Sequence, residues 1–147
     1  MLLDVHNLKT YFRVGFDKTA KAVNGISFKL KPGKTLALVG ESGCGKSQTA
    51  YSIIRLIAEN GFHPDGKVIL ENQNLMELSE NEMRKKRGND IGMIFQEPMT
   101  SLNPVLTIGK QITEILELHQ GMDEEEAINE AIELLKLVGL PDPELRI

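Results

Sequence analysis

The 147-residue sequence contains a single cysteine, so no disulfide can form within the chain. It also lacks long hydrophobic runs: the longest purely apolar stretch is Leu36–Val39, whereas a membrane-spanning helix needs about 18 or more such residues. Positive charge is not in excess, because 17 Lys and Arg stand against 21 Asp and Glu, and proteins that bind a nucleic-acid backbone carry a basic surface. These absences predict a cytoplasmic chain that binds no nucleic acid and reaches a membrane only through a partner.

The hydrophobic content of 41% is sufficient for the core of one globular domain. Residues 2–14 and 26–30 alternate apolar and polar side chains and predict two strands of an antiparallel opening, followed by a turn at Pro32-Gly33. Asn24-Gly25 is compatible with a hairpin turn and equally with a simple bend before the second strand. The sequence leaves these two alternatives open.

Two short apolar runs, Thr35–Val39 and Ile91–Phe95, predict strands that are buried on both faces. Apolar residues at helical spacing predict a helix from Lys46 to about Ile57, and a further strand is predicted at Val68–Leu70. The first part of the chain therefore contains the order strand, glycine-rich loop, helix.

Helix signals dominate the second half. Ser79 and Glu82 have the spacing of a capping box, which predicts a short helix after Ser79. Two longer helical segments are predicted within residues 107–138, the first closed by Gly121 and the second beginning at Asp123 with three glutamates in its first turn.

The segment Gly40–Ser47 reads GESGCGKS and fits the pattern G-x-x-x-x-G-K-[ST] between a predicted strand and a predicted helix. In such a loop backbone N–H groups converge on phosphate oxygens, the lysine reaches the β- and γ-phosphates and the final hydroxyl ligates Mg²⁺. A nucleoside triphosphate and Mg²⁺ are therefore the predicted ligands, and the pattern by itself does not choose the base. The candidate nucleotide-binding residues are Gly40, Glu41, Ser42, Gly43, Cys44, Gly45, Lys46, Ser47 and Gln48.

The guanine-reading pattern N-K-x-D and the switch pattern D-x-x-G are absent from the sequence, which favours adenine as the base. An aromatic ring that stacks on the purine would contribute about 1–3 kcal/mol. Tyr11 and Phe12 are the candidates, and adjacent strand residues point to opposite faces. Phe12 is preferred because it shares a face with Leu8 and Thr10.

The strings GESGCGKSQTA and MIFQEPMTSLNP together resemble the ATP-binding subunits of ABC importers for oligopeptides and dipeptides. The resemblance implies an α/β fold of the P-loop NTPase type, with a partial core sheet, an antiparallel β subdomain and the start of a helical subdomain. Residues 1–147 would be the N-terminal portion of one nucleotide-binding domain, with Walker A at 40–47 and the Q-loop at about 95–104.

The same resemblance assigns roles to individual residues. Lys46 and Ser47 would be the Walker A residues, Phe12 the A-loop aromatic, and Gln96 the Q-loop glutamine. Lys46 and Gln96 would act in catalysis, and Ser47 and Gln96 would contact Mg²⁺. Cys44 stands where the family usually has serine, either as a neutral replacement or as a reactive thiol. The implied partners are transmembrane permease subunits and a second ATP-binding subunit, at the cytoplasmic face of the cell membrane.

Other family motifs have no match in this sequence: the signature segment, the Walker B strand with its carboxylates, and the switch histidine. Val68–Glu71 imitates Walker B, but it precedes the Q-loop and fits the antiparallel segment. The resemblance therefore predicts a truncated chain that binds ATP without efficient hydrolysis. The alternatives are a soluble, non-transport ABC ATPase and a nucleotide-binding module without turnover.

Overall fold

Strands occupy the first half of the chain and helices the second, in the order that the sequence predicts. The computed structural model describes residues 1–97 and 102–147. These residues divide into two units, Met1–Arg84 and Lys85–Ile147. The strands are β1 (Leu3–Arg13), β2 (Thr19–Leu30), β3 (Gly61–Phe62), β4 (Lys67–Leu70) and β5 (Gln73–Asn74), and the helices are α1 (Lys46–Ile53), α2 (Glu80–Lys86), α3 (Ile108–Gln120), α4 (Glu124–Leu137) and α5 (Pro143–Arg146).

The antiparallel sheet has the order β2-β1-β4-β5, and β3 pairs with the far end of β1. The hairpin that joins β1 to β2 closes at Val14 and Lys18, where the Val14 N–H donates to the Lys18 carbonyl over 2.7 Å. Asn24-Gly25 is not that hairpin turn. It lies within β2 beside a register shift, and Gly25 adopts a φ of 83°, so the pair forms a bulge in the strand.

β1 supplies much of the core of the first unit because it is paired on both edges. Its side chains at Val5, Leu8 and Thr10 are buried at 1%, 0% and 0% exposure. The other buried hydrophobic residues of this unit come from the segments around β1 and are Val23, Ile54, Val68, Leu75 and Met83.

Two predicted strands are not formed. Thr35–Val39 has no strand assignment, and within it Val39 is 89% exposed. Ile91–Phe95 is likewise not a strand, apart from one isolated parallel bridge between Arg87 and Ile91. A strand that is buried on both faces needs hydrogen-bonded neighbours. Within residues 1–97 and 102–147 neither run is assigned as a strand, so these two predicted strands of the core sheet are not formed in the described structure.

Helix α1 begins at Lys46 as predicted but ends at Ile53, earlier than the predicted Ile57. The chain leaves the helix through Arg55, whose φ of 53° cannot continue a right-handed helix. The Arg55 guanidinium donates to the carbonyls of Leu75 and Leu78 over 3.1 and 2.6 Å. These bonds hold the end of α1 against the segment that follows β5.

Local capping signals place α2, α3 and α4 where the sequence predicts helices, whereas α5 was not predicted. The Ser79 N–H donates to Glu82 Oε2 over 2.8 Å, and the Glu82 N–H donates to Ser79 Oγ over 3.3 Å. Asp123 caps α4 through the same reciprocal arrangement with Glu126. Gly121 ends α3 in the left-handed conformation, with a φ of 69°.

In the second unit α3 and α4 pack against each other through their apolar faces. Leu116 from α3 and Ala127 and Ala131 from α4 are the buried centre, and Ile112, Met122 and Ile147 pack around them. No helix within residues 1–97 and 102–147 is both long enough and apolar enough to cross a membrane.

Candidate functional site

The glycine-rich loop leads directly into α1 and needs its glycines for conformation and for space. Gly43 and Gly45 have φ values of 80° and 95°, which L side chains rarely adopt. Gly45 is also the N-cap of α1. A Cβ on Gly45 would lie 2.4 Å from the carbonyl oxygen of Ala22, so only glycine lets the loop contact β2 at this distance.

The Lys46 side chain returns into the loop that precedes it. Its ammonium donates to the carbonyls of Gly40 and Glu41 over 2.8 and 2.7 Å, and lies 3.6 Å from the Cys44 sulfur. A lysine ammonium has three donors, and this arrangement directs all of them to groups of the loop. The loop therefore holds the positive charge of Lys46 at a fixed position beside its own backbone carbonyls.

The N-terminus of α1 adds further positive potential to the same place. Gly45 has no side chain to cap the helix, and no acidic residue occurs in the first turn. The first N–H groups of a helix have no partner within it, and the helix dipole places roughly half a positive charge there. Ser47 in this turn is exposed. Free backbone donors, a lysine and an exposed hydroxyl together form a site suited to phosphate.

Gln48 and Thr49 complete the first turn of α1. Thr49 is buried, and its hydroxyl donates to the Gly45 carbonyl over 2.9 Å, which fixes the junction of loop and helix. Gln48 is half-buried, and its amide oxygen Oε1 has no hydrogen-bond partner among the described residues. A contact between Gln48 and nucleotide stays a prediction.

Tyr11 is half-buried and already makes three contacts. Its hydroxyl donates to Asn24 Oδ1 over 2.6 Å. Its ring meets Phe62 edge to face with centroids 6.1 Å apart, and the Lys21 ammonium lies 5.5 Å from the centre of the Tyr11 ring. These contacts give Tyr11 a structural role in the sheet.

Phe12 is also half-buried and lies beside β3, where it pairs with Gly61. A Cβ on Gly61 would lie 2.9 Å from the Phe12 ring and 3.0 Å from the Ile57 side chain. Glycine at this position therefore leaves room for the aromatic ring. The assignment of Phe12 rather than Tyr11 as the adenine-stacking residue stays a prediction.

Gln96 belongs to the second unit and lies exposed at a bend. Pro98–Ser101, the centre of the predicted Q-loop, lie outside the described residues. Further along the predicted loop, the Asn103 N–H donates to Gln111 Oε1 over 2.8 Å, and the Asn103 carbonyl accepts from Gln111 Nε2 over 3.1 Å. The end of this loop is thus attached to the beginning of α3.

The ligand set for Mg²⁺ rests on the predicted residues Ser47 and Gln96. Within residues 1–97 and 102–147 there is no group of three or more His, Cys, Asp or Glu side chains that could hold a metal ion. Mg²⁺ is commonly held by one or two protein groups together with substrate phosphates. A site of that kind needs no preformed protein cluster, and the assignment of Ser47 and Gln96 to the metal stays a prediction.

Two contributions to the site were not predicted from the sequence. The Ala22 carbonyl limits the space at Gly45, and the Cys44 sulfur limits the space at Gly40, where a Cβ would lie 2.6 Å from it. The Ala22 contact follows from a register shift between β1 and β2 at Thr10 and Tyr11, and no sequence pattern indicates that shift. Val68–Glu71 belongs to the antiparallel sheet, as predicted, and does not form a parallel core strand.

Comparison with known proteins agrees with this architecture. The ABC transporter family model matches residues 23–146, so the chain belongs to the ABC transporter family. It is 49% identical to a probable peptide ABC transporter ATP-binding protein, y4tR, of Sinorhizobium fredii, covering 100% of this chain and 44% of that protein. It is 53% identical to the oligopeptide transport ATP-binding protein AppD of Bacillus subtilis, covering 94% of this chain and 42% of that protein.

A solved structure confirms the fold class. The dimeric ATP-binding cassette MJ0796, in a post-hydrolysis state bound to ADP and Pi, matches with a TM-score of 0.80 at 26% identity. The match covers 95% of this chain and 58% of that chain. The chain spans about two fifths of the length of the curated relatives described above.

Proposed function

We propose that this chain binds Mg-ATP at Gly40–Ser47 and acts as the ATP-binding part of an ABC importer for peptides. The observation that carries the proposal is the position of Lys46, whose ammonium lies within the loop at the N-terminus of α1. The contact of Gly45 with β2 supports it, because it fixes the loop at the point where it enters the helix.

The binding chemistry follows from the groups in the loop. Lys46 contacts two neutral carbonyls, and phosphate oxygens are stronger partners because their negative charge adds direct attraction to the ammonium. The N–H groups of the first turn and the Ser47 hydroxyl supply further donors. Bound Mg²⁺ would neutralise phosphate charge, with Ser47 and Gln96 as its proposed protein ligands. Phe12 is the proposed stacking residue for adenine.

The substrate class and the partners are inferred from the relatives. The relatives are named as peptide and oligopeptide transport ATP-binding proteins, and the matched cassette is dimeric. We therefore infer that transmembrane permease subunits and a second ATP-binding subunit, identical or homologous, are the partners. The corresponding location is the cytoplasmic face of the cell membrane.

The proposal includes binding without efficient turnover by residues 1–147. Phosphoryl transfer depends on positioning of the metal and the attacking water, and loss of one positioning group commonly costs about a hundredfold or more. Residues 1–147 contain no match to Walker B, the signature segment or the switch histidine. Phosphate release by the purified chain should equal that of Lys46→Ala. A rate well above that of the variant would contradict this part of the proposal.

Nucleotide binding is tested by calorimetry with Mg-ATP. Removal of the Lys46 ammonium deletes charge-assisted hydrogen bonds of about 1.5–3 kcal/mol, so Lys46→Ala should weaken binding about 10- to 100-fold. Lys67→Ala is the matched control, since Lys67 is an exposed lysine of β4. Equal affinities of Lys46→Ala and Lys67→Ala, with both variants folded, would exclude the loop as the site.

Contact with permease subunits is tested by site-specific crosslinking. Cys44 is the only cysteine, so Cys44→Ser provides a background without thiols. In that background Leu102→Cys, at an exposed position in the predicted Q-loop, should crosslink to a transmembrane subunit when the transporter is assembled in membranes. Glu125→Cys on the exposed side of α4 is the control. Crosslinking at Glu125 but not at Leu102 would oppose the proposed contact.

A further inference from the structure

A buried series of polar side chains joins three segments of the first unit. Thr10 in β1 and Ser52 in α1 are both 0% exposed, and their hydroxyl oxygens lie 2.6 Å apart. Thr10 Oγ1 also lies 3.0 Å from Nδ1 of His63, in the turn between β3 and β4. Buried polar groups with satisfied hydrogen bonds fix the segments that carry them.

The direction of each hydrogen bond follows by elimination. The Ser52 hydroxyl donates its one proton to the Gln48 carbonyl, so Ser52 Oγ accepts from Thr10. Thr10 has then used its own proton, and Thr10 Oγ1 must accept from His63 Nδ1. The Lys9 carbonyl, 3.2 Å from the same nitrogen, can also only accept. Nδ1 of His63 therefore carries a proton, and the series ends at the carbonyl of Gln48 in the first turn of α1.

Protonation of the second ring nitrogen of His63 would cost free energy. Nε2 is buried and has no hydrogen-bond partner among the described residues. Protonation would place an N–H donor and a positive charge at this atom, and both are costly without a partner. Burial is the main cause that lowers the pKa of His63, and the positive charge of Arg55 acts in the same direction. The hydrogen bond to the Lys9 carbonyl opposes this shift only partly.

The charged groups around the imidazole do not offset this cost. On the α1 side the charge is the Arg55 guanidinium, which repels an imidazolium. On the β1 side Lys9 carries a positive charge, and its ammonium lies 3.1 Å from the Asp65 carboxylate. Asp65, in the same turn as His63, also accepts from Asn7 Nδ2 over 2.6 Å. Together with the Gly66 N–H, which donates over 2.8 Å, three donors therefore already engage the negative charge of Asp65.

We propose that His63, Thr10 and Ser52 form a proton-sensitive latch, which holds α1 against β1 while His63 is neutral and releases it when His63 is protonated. The sign follows from linkage: the closed state binds the proton less well than an opened or unfolded state, whose histidine has the ordinary pKa of 6.5. The latch is thus closed above that pH and loosens as pH falls below it. Because α1 begins at the phosphate-binding loop, the device would control the rigidity of that helix. Neither the latch nor its test depends on nucleotide binding.

Direct titration is the first test. In the full chain the His63 ring, observed by NMR and assigned by its loss in His63→Gln, should titrate at lower pH than in a peptide of residues 60–66. The protonation should also shift the amide signals of Thr10 and Ser52. A midpoint equal to that of the peptide would overturn the proposal, and this measurement needs only the wild-type fold.

Hydrogen exchange of the α1 amides, corrected for intrinsic rates, is the second test. Protection in the wild type should be lost between pH 7.5 and 5.5, whereas His63→Gln should show no such loss. His119→Gln, which alters a histidine of α3 in the other unit, should behave as the wild type. Thr10→Val, which interrupts the series but keeps His63, should lower protection at both pH values. An equal loss in wild type and His63→Gln, or no loss in either, would overturn the latch.

Discussion

Gly45→Ala tests whether the phosphate-binding loop depends on its contact with β2. Gly45 has a φ of 95°, and an added Cβ would lie 2.4 Å from the Ala22 carbonyl oxygen. Contacts below 3.0 Å are essentially never seen for real Cβ atoms, and this neighbour is backbone rather than a flexible side chain. The loop and β2 must therefore separate by about an ångström before ordinary contact is restored.

The expected cost of Gly45→Ala has two parts. The left-handed backbone costs an alanine about 1–2 kcal/mol, and overpacking adds about 1–3 kcal/mol. Gly15→Ala isolates the backbone cost, because Gly15 has a φ of 80° and an added Cβ would have no atom within 4 Å. Gly15→Ala should therefore lower the free energy of unfolding by about 1–2 kcal/mol, and Gly45→Ala by about 2–5 kcal/mol.

Tyrosine fluorescence during urea unfolding is a suitable assay. The chain has no tryptophan, and its two tyrosines, Tyr11 and Tyr51, both belong to the first unit. The signal therefore reports on the unit that contains the loop. Mg-ATP affinity, measured in parallel, should fall for Gly45→Ala and remain unchanged for Gly15→Ala. Equal destabilisation by the two substitutions would refute the reasoning from the Ala22 contact.

Three further predictions concern single groups. Cys44 is exposed within the loop, so maleimide labelling should be slowed by saturating Mg-ATP, and equal labelling rates would exclude shielding by phosphate. Asp123→Ala removes the hydrogen bond to the Glu126 N–H and should cost about 1 kcal/mol, measured as faster amide exchange in the first turn of α4 while α3 is unchanged. Phe12→Ala should weaken ATP binding more than Tyr11→Ala, by about 1–3 kcal/mol, and the reverse order would reassign the stacking role.

Features determined by near neighbours were predictable from the sequence. The capping residues Ser79 and Asp123 lie three positions before their glutamates, so one turn of helix contains the whole interaction. The left-handed glycine Gly121 likewise marks the end of α3. In the site, the glycine pattern of residues 40–47 identified the loop, because the conformations at Gly43 and Gly45 require glycine.

Features that depend on distant partners were not predictable. Thr35–Val39 has the composition of a buried strand, but a strand exists only with a hydrogen-bonded neighbour, and the described residues provide none for it. The latch joins Thr10 to Ser52 and His63 across more than 40 positions. Its one sequence signal is a hydroxyl at Thr10 on the same strand face as Leu8, where an apolar residue would be expected. That signal does not identify the partners.

Helix α1 is attached to its unit just before its first residue, in its last turn and just beyond its end. Gly45 contacts the Ala22 carbonyl, Ser52 bonds to Thr10, and Arg55 donates to the carbonyls beyond β5. The three attachments differ in chemistry. The first depends on the absence of a side chain at Gly45, the second on a hydrogen bond between two hydroxyls, and the third on the Arg55 guanidinium. A helix attached at both ends holds the glycine-rich loop that precedes it in one position.

The attachment at Arg55 gives a prediction in which glycine is less harmful than alanine. Arg55 adopts a φ of 53° without being glycine, and its guanidinium bonds to Leu75 and Leu78 with a side chain that is 23% exposed. Both Arg55→Ala and Arg55→Gly lose these bonds. Because the donor is charged, we expect the bonds to contribute about 1.5–3 kcal/mol to the free energy of unfolding. Alanine retains the left-handed strain that glycine relieves, so Arg55→Gly should be about 1 kcal/mol more stable than Arg55→Ala. Both bonds come from Nη1 of Arg55, and the ammonium of a lysine lies one bond closer to the backbone, so Arg55→Lys should resemble alanine. Urea unfolding followed by tyrosine fluorescence measures all three variants. An Arg55→Gly variant less stable than Arg55→Ala would show that the backbone relaxes at this position, and the strain argument would have to be withdrawn.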